Sequence, residues 1–108
     1  MKPWEIWTWK FPDEGLHPAV VLGTEDRVKL KRRVSVILCS SQRATRKPEP
    51  HEVILDQSDG LDWPTLCKCD LIYGALRSEL ITCRGVVTTE RRRVIAQRII
   101  QHLGLAGL

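Results

Sequence analysis

No apolar run in this sequence approaches the ~20 residues that a helix needs to cross a bilayer, so a helical membrane span is excluded. The opening residues Met1-Lys2-Pro3-Trp4-Glu5 lack the long apolar core of a secretory signal. The expected location is therefore the cytoplasm. Cysteine is sparse. The four present, Cys39, Cys67, Cys69 and Cys83, form an even set, but a secreted disulfide scaffold is denser in cysteine and poorer in core residues. Repeats, low-complexity tracts and linkers are missing as well. A chain of 108 residues has no room for a second core, which predicts one domain over residues 1–108.

What the chain does contain is the balance of a globular protein, 43% hydrophobic and 28% charged, and not that of a disordered one. Its charge is uneven. The formal sum is +4, with basic residues clustered at Lys29-Lys31-Arg32-Arg33, at Arg43-Arg46-Lys47 and at Arg91-Arg92-Arg93-Arg98. Acids gather between Glu49 and Asp62. Local basic clusters suit a polyanion, because each phosphate contact is a local pairing that releases counterions. They equally suit ordinary solvated faces, so charge alone does not decide.

Periodicity gives the elements. Glu5 to Phe11 alternates, with Trp7, Trp9 and Phe11 on one face and Thr8 and Lys10 on the other, as in a half-buried strand. That pattern makes the two tryptophans packing residues before stacking platforms. Pro12-Asp13-Glu14-Gly15 is turn chemistry. Pro18–Leu22 and Val34–Cys39 are continuous apolar runs that predict buried strands, and Val28–Lys31 predicts a twisted edge. A polar, basic loop spans Ser40 to Pro50. Strands are expected over His51–Leu55, Thr65–Tyr73 and Leu80–Val87, the last interrupted by Gly85. Ile95, Ile99 and Leu103 instead recur every four residues. Thr88 as N-cap, Glu90 in the first turn and Gly104 as C′ complete a terminal helix. Five to seven short strands and one helix predict a β-rich α+β fold, a small curved barrel with the helix packed against it.

Cys67 and Cys69 would share one face of their strand and, with His51 or Cys83, could form part of a zinc site. The Cys-x-Cys spacing is not that of structural zinc knuckles, and no second pair exists. Packing is the preferred reading, and no metal or cofactor is expected.

Three segments carry a resemblance when taken in order. They are Glu5-Ile6-Trp7-Thr8-Trp9, then Gly15-Leu16-His17-Pro18-Ala19-Val20-Val21-Leu22, then Val36-Ile37-Leu38-Cys39-Ser40-Ser41-Gln42, with its basic loop and Pro50-His51-Glu52-Val53-Ile54-Leu55. Together they resemble the MazF/PemK toxins of bacterial toxin–antitoxin pairs. Leu66 to Ile72, with Asp70 at its centre, is similar to a later strand of that family, and Gly85-Val86-Val87-Thr88 to its entry into the last helix. The resemblance implies an SH3-like barrel, a homodimer, an acidic antitoxin as partner, and sequence-selective, metal-independent cleavage of single-stranded RNA such as mRNA. In that reaction the ribose 2′-hydroxyl attacks the adjacent phosphorus and leaves a cyclic phosphate.

Such chemistry needs a proton acceptor, a proton donor and groups that stabilise charge on the phosphate. The family's motif arginine falls at His17 and its motif threonine at Ser40, which the resemblance marks as catalytic. Serine keeps the hydroxyl. Histidine loses the permanent charge and planar fork of arginine but, as a residue type with a pKa near ~6.5, can carry protons. On residue type alone His17 is also simply the residue that Pro18 holds in extended space, and the two serines could merely brace the loop they open. Ser41, Gln42, Arg43, Arg46 and Lys47 are expected to contact RNA, and Trp63, in a turn, to stack on a base. Arg91-Arg92-Arg93 opens a helix against its dipole, which suggests an anion site. A relative of the toxins that binds RNA or protein without cutting is the alternative that His17 leaves open.

Overall fold

Two apolar faces on one sheet explain the continuous hydrophobic runs. The computed structural model describes residues 1–12 and 15–108; the turn expected at Pro12–Gly15 rests on Asp13 and Glu14 and falls outside them. The elements are β1 (Glu5–Phe11), β2 (Gly15–Leu22), α1 (Glu25–Leu30), β3 (Arg33–Cys39), β4 (Glu52–Leu55), β5 (Thr65–Leu76), β6 (Leu80–Val86) and α2 (Thr89–His102). The strands pair antiparallel in the order β4-β5-β3-β2-β1-β6, a curled sheet of barrel-like form, as expected.

Strand side chains alternate, so β1, β2, β3 and β5 each feed two cores. The expectation that 108 residues leave no room for a second core is overturned, because the sheet is covered on both faces. On one face Ile6, Val20, Ile37, Leu55, Cys67 and Ile95 pack together, and α2 lies over β4 and β5. On the other, Trp9, Val21, Val36 and Leu80 cluster with Val28 of α1, and Trp7, Phe11 and Tyr73 pack around them. A strand covered on both sides reads as an unbroken apolar run. Trp7 and Trp9 are packing residues, as their alternation suggested.

The predicted edge strand at Val28–Lys31 is instead the end of α1. Thr24 accepts from the Arg27 N–H at 3.3 Å, and Glu25 and Asp26 occupy the first turn, where a carboxylate suits the helix dipole. Only Val28 of this helix is buried. Six residues with one apolar anchor show no period, so the cap was the better signal.

The sheet's two edges meet through a 3₁₀ turn, Gln57–Asp59, that follows β4. Gly60 (φ +93°) and Gly85 touch so closely that a Cβ on Gly85 would lie 2.0 Å from the Asp59 carbonyl oxygen. Buried Asp59 fastens the seam. Its Oδ1 accepts from the Thr88 N–H at 3.0 Å, and its Oδ2 accepts from the Asp56 N–H at 3.0 Å and from Arg91 at 2.5 Å. Arg91 also grips Asp56 at 2.8 and 3.1 Å, and this pairing holds the Asp56 carboxyl at about 2. Thr88 caps α2 and Gly104 takes positive φ just beyond it, as expected. Arg91 is thus an internal tie and not an open anion site, which resolves its unfavourable place on the helix dipole.

Candidate active site

A cavity of about 300 Å³ opens where β1, β2, the loop after β3 and β6 converge, lined by Thr8, His17, Ser41, Trp63, Thr65 and Arg84 among others. β2 brings His17 in opposite Trp9 of β1. The ring stands edge-on to Phe11 with centroids 6.0 Å apart. Its Nδ1 lies 3.1 Å from the Cys39 carbonyl oxygen. A carbonyl only accepts, so Nδ1 is the donor in this contact.

The two serines divide. Ser41 is exposed and lines the cavity. Ser40 turns toward β5: its Oγ accepts from the Leu66 N–H at 3.1 Å. Thr65 donates to the Ser40 carbonyl at 2.6 Å, and the two hydroxyl oxygens lie 2.9 Å apart. Ser40 fixes the start of the loop and the wall formed by Thr65.

Trp63, 38% exposed, stands between this cavity and a second hollow of about 340 Å³ that it and Asp62 also line, with Arg43 on the far side. A third hollow continues past Pro64 to Lys47. Gln42 is exposed on the same loop. Arg46 is committed elsewhere: it grips buried Glu52 at 2.6 and 2.9 Å, and Lys68 reaches the same carboxylate at 2.5 Å. The Arg46 guanidinium, joined by Lys68, holds the Glu52 carboxyl well below the usual carboxylate range. The structure therefore groups His17, Ser41 and Trp63, places Arg43 and Lys47 along adjoining hollows, and gives the side chains of Ser40 and Arg46 partners within the fold.

Arg84 escaped the sequence reading. Its Nη1 lies 3.4 Å from Thr8 Oγ1 and its Nη2 3.5 Å from Asp62 Oδ2. The available signal was Gly85: a glycine interrupting a strand pattern marks a bulge or a close approach, and here it marks both.

The cysteines are free thiols, with Cys39, Cys67 and Cys69 buried. Contact with Cys39 and burial push the Cys67 thiol up, and contact with Cys67 and burial do the same for Cys69. All three lie within the hydrophobic core, where a thiol packs as a small apolar group, so packing is the better reading. Glu49, His51 and Glu52 form the one close group of metal-type ligands among the described residues, but Glu52 already serves two cations. No described helix is long and apolar enough to cross a membrane.

Residues 2–103 match the family of PemK-like, MazF-like toxins of type II toxin–antitoxin systems. No curated protein matches the sequence. Among solved structures, toxin MazF-mt6 of Mycobacterium tuberculosis is 20% identical, with a TM-score of 0.81 over 94% of this chain and 97% of that one. An endoribonuclease in complex with its cognate antitoxin, from a mycobacterial species, is also 20% identical, with a TM-score of 0.82 over 100% and 99% of the two chains. A MazE–MazF structure from Deinococcus radiodurans is 15% identical, with a TM-score of 0.76 over 98% of each.

Proposed function

We propose that this chain, which belongs to the PemK-like, MazF-like toxins of type II toxin–antitoxin systems, is a sequence-selective endoribonuclease that cuts single-stranded RNA by 2′-hydroxyl attack. The observation that carries the reading is the cavity that joins an imidazole, a hydroxyl and a guanidinium beside an exposed indole. Imidazole exchanges protons, hydroxyl and guanidinium donate to phosphate oxygens, and indole offers a flat face to a base. Proton transfer and charge neutralisation are the whole requirement of this reaction, so we assign it no metal cofactor.

In the proposed step the 2′-oxygen forms a bond to phosphorus while the bond to the 5′-oxygen breaks. His17 takes the 2′-hydroxyl proton at Nε2 and returns it to the leaving 5′-oxygen, so products are a cyclic phosphate and a 5′-hydroxyl with no net proton change. Ser41 donates to a phosphate oxygen. Trp63 stacks a base, and Arg43 and Lys47 follow the backbone along the adjoining hollows. An mRNA fits this track because its bases are unpaired. By analogy with the antitoxin-bound relative, we further propose restraint by a cognate antitoxin. That the antitoxin is acidic and the toxin a cytoplasmic homodimer is part of the same proposal and rests on the family resemblance.

The test is incubation of the purified protein with a long single-stranded RNA in EDTA. Discrete fragments with cyclic phosphate and 5′-hydroxyl ends are expected. Intact RNA with the natural protein, and cleavage only by His17→Arg, would establish a non-cutting relative of the toxins.

A further inference from the structure

The pairing of β6 with β1 skips a residue at two places, Ile81 between Thr82 and Leu80 and Arg84 between Gly85 and Cys83. Ile6 lies opposite Gly85 and Trp7 opposite Cys83, with a register shift between them, so Arg84 is the extra residue of a bulge. A bulge bends its strand and re-aims the unpaired side chain, and bulges are frequent beside active sites. Here the bulge turns Arg84 into the cavity that holds His17 and Ser41. Gly85 keeps the displaced strand against the turn at Asp59, because no other residue fits there.

The setting of Arg84 differs from that of the two other paired arginines nearby. Arg46 grips buried Glu52 at 2.6 and 2.9 Å, and Arg91 grips buried Asp59 at 2.5 Å and half-buried Asp56 at 2.8 and 3.1 Å. Arg84 meets a neutral hydroxyl at 3.4 Å and, at 3.5 Å, a carboxylate whose side chain is 76% exposed. An exposed pair at that length binds weakly. Arg84 is thus held in direction without being neutralised, and a substrate phosphate competes easily for it.

We propose that Arg84 is a further catalytic residue of this site, the permanent cation that binds the non-bridging oxygens of the scissile phosphate while His17 handles the proton. This role rests on the nuclease reading above. When the 2′-oxygen adds to phosphorus, negative charge grows on those oxygens, and a guanidinium fork matches two of them at once. A histidine that must cycle its proton cannot also be a constant positive charge. In this chain the two duties therefore sit on different strands.

The experiment measures cleavage of one single-stranded RNA by the natural protein, Arg84→Gln and Arg84→Lys at fixed ionic strength, with thermal melting of each. Arg84→Gln is expected to slow cleavage about 10²–10³-fold, the cost of one lost charge-stabilising contact, while the shape of the rate–pH profile stays that of the natural protein. Arg84→Lys, which keeps the charge without the fork, is expected to recover at least about tenfold of that loss. If glutamine disturbs the fold, Arg84→Met keeps the stem and serves as the uncharged variant. Natural cleavage rates in an uncharged variant, or a lysine variant no faster than it, would overturn this role and leave the nuclease intact. A natural protein that cuts no RNA would remove both.

Discussion

Replacing Asp59 with asparagine should be nearly as damaging as replacing it with alanine, for a reason fixed by donor count. Three donors converge on the carboxylate: Thr88 N–H on Oδ1, and Asp56 N–H and Arg91 on Oδ2. An asparagine has one oxygen and one amide nitrogen. If its nitrogen replaces Oδ2, it faces two donors; if the amide is flipped, it faces the Thr88 N–H. Either way one N–H of a buried seam is left opposite another donor, and the Arg91 charge loses a partner that is wholly buried. Removing one partner of a buried pair costs roughly 3–5 kcal/mol. Because Asp56 still holds Arg91, we expect about 3 kcal/mol for asparagine, a melting point lower by roughly 12 °C or more in a domain of this size. Urea unfolding of the natural protein, Asp59→Asn and Asp59→Ala measures this. An asparagine variant within about 1 kcal/mol of the natural protein would refute the reasoning, because it would show that charge and acceptor count at the seam do not matter.

Ser41→Ala should slow cleavage with little change in melting. Ser40→Ala should instead lower stability by about 1–3 kcal/mol, because the Leu66 N–H loses its acceptor; unfolding and rate assays on both variants read this exchange of roles. Natural cleavage should show one ionisation that His17→Arg abolishes, since arginine does not titrate in the accessible range, and rate against pH for both proteins decides it. Stability should also fall in acid. The Asp56 carboxyl is depressed to about 2 in the folded chain, so its contribution is complete above the unfolded pKa of roughly 4 and is lost as pH falls toward 2. With that side chain 32% exposed, its share is on the order of 1–2 kcal/mol after allowing for screening. Urea midpoints between pH 5 and pH 2, flattened in Arg91→Ala, are the check.

The elements most legible in the sequence were those whose period or capping was strong. The alternation of Trp7, Trp9 and Phe11, the stripe through Ile95 and Ile99, and Thr88 at the head of α2 each reflect local rules that tertiary structure did not overrule. α1 was misread because six residues carry no measurable period, and Val28 looks the same in a helix as in a strand. The basic clusters were legible as composition but not as function. Arg46 and Arg91 find buried carboxylates, Glu52 and Asp59, that lie 6 and 32 residues away in sequence, and the second of these pairings exists only because the sheet curls. Ser40 and Ser41 were distinguished by which way the chain turns as it leaves β3, and that is set by Thr65 and Leu66 on β5. Arg84 was hidden for a similar reason, since a bulge is a mismatch between two strands and cannot be seen in either one.

The seam and the site are mechanically one object. Asp59 joins the 3₁₀ turn to the head of α2, its carbonyl presses on Gly85, and Gly85 adjoins the bulged Arg84. From the other direction, Asp62 and Trp63, three and four residues beyond Asp59, line the cavity that Arg84 enters. The closure that lets a short sheet bury two cores therefore also sets the distance between the guanidinium from β6 and the imidazole from β2. Active-site groups are usually borne on segments that a rigid scaffold positions, and here the rigid part is a buried carboxylate with its full set of donors. Loss of that carboxylate should therefore lower activity by more than the fraction unfolded accounts for, because the folded molecules that remain would hold Arg84 on a loosened strand.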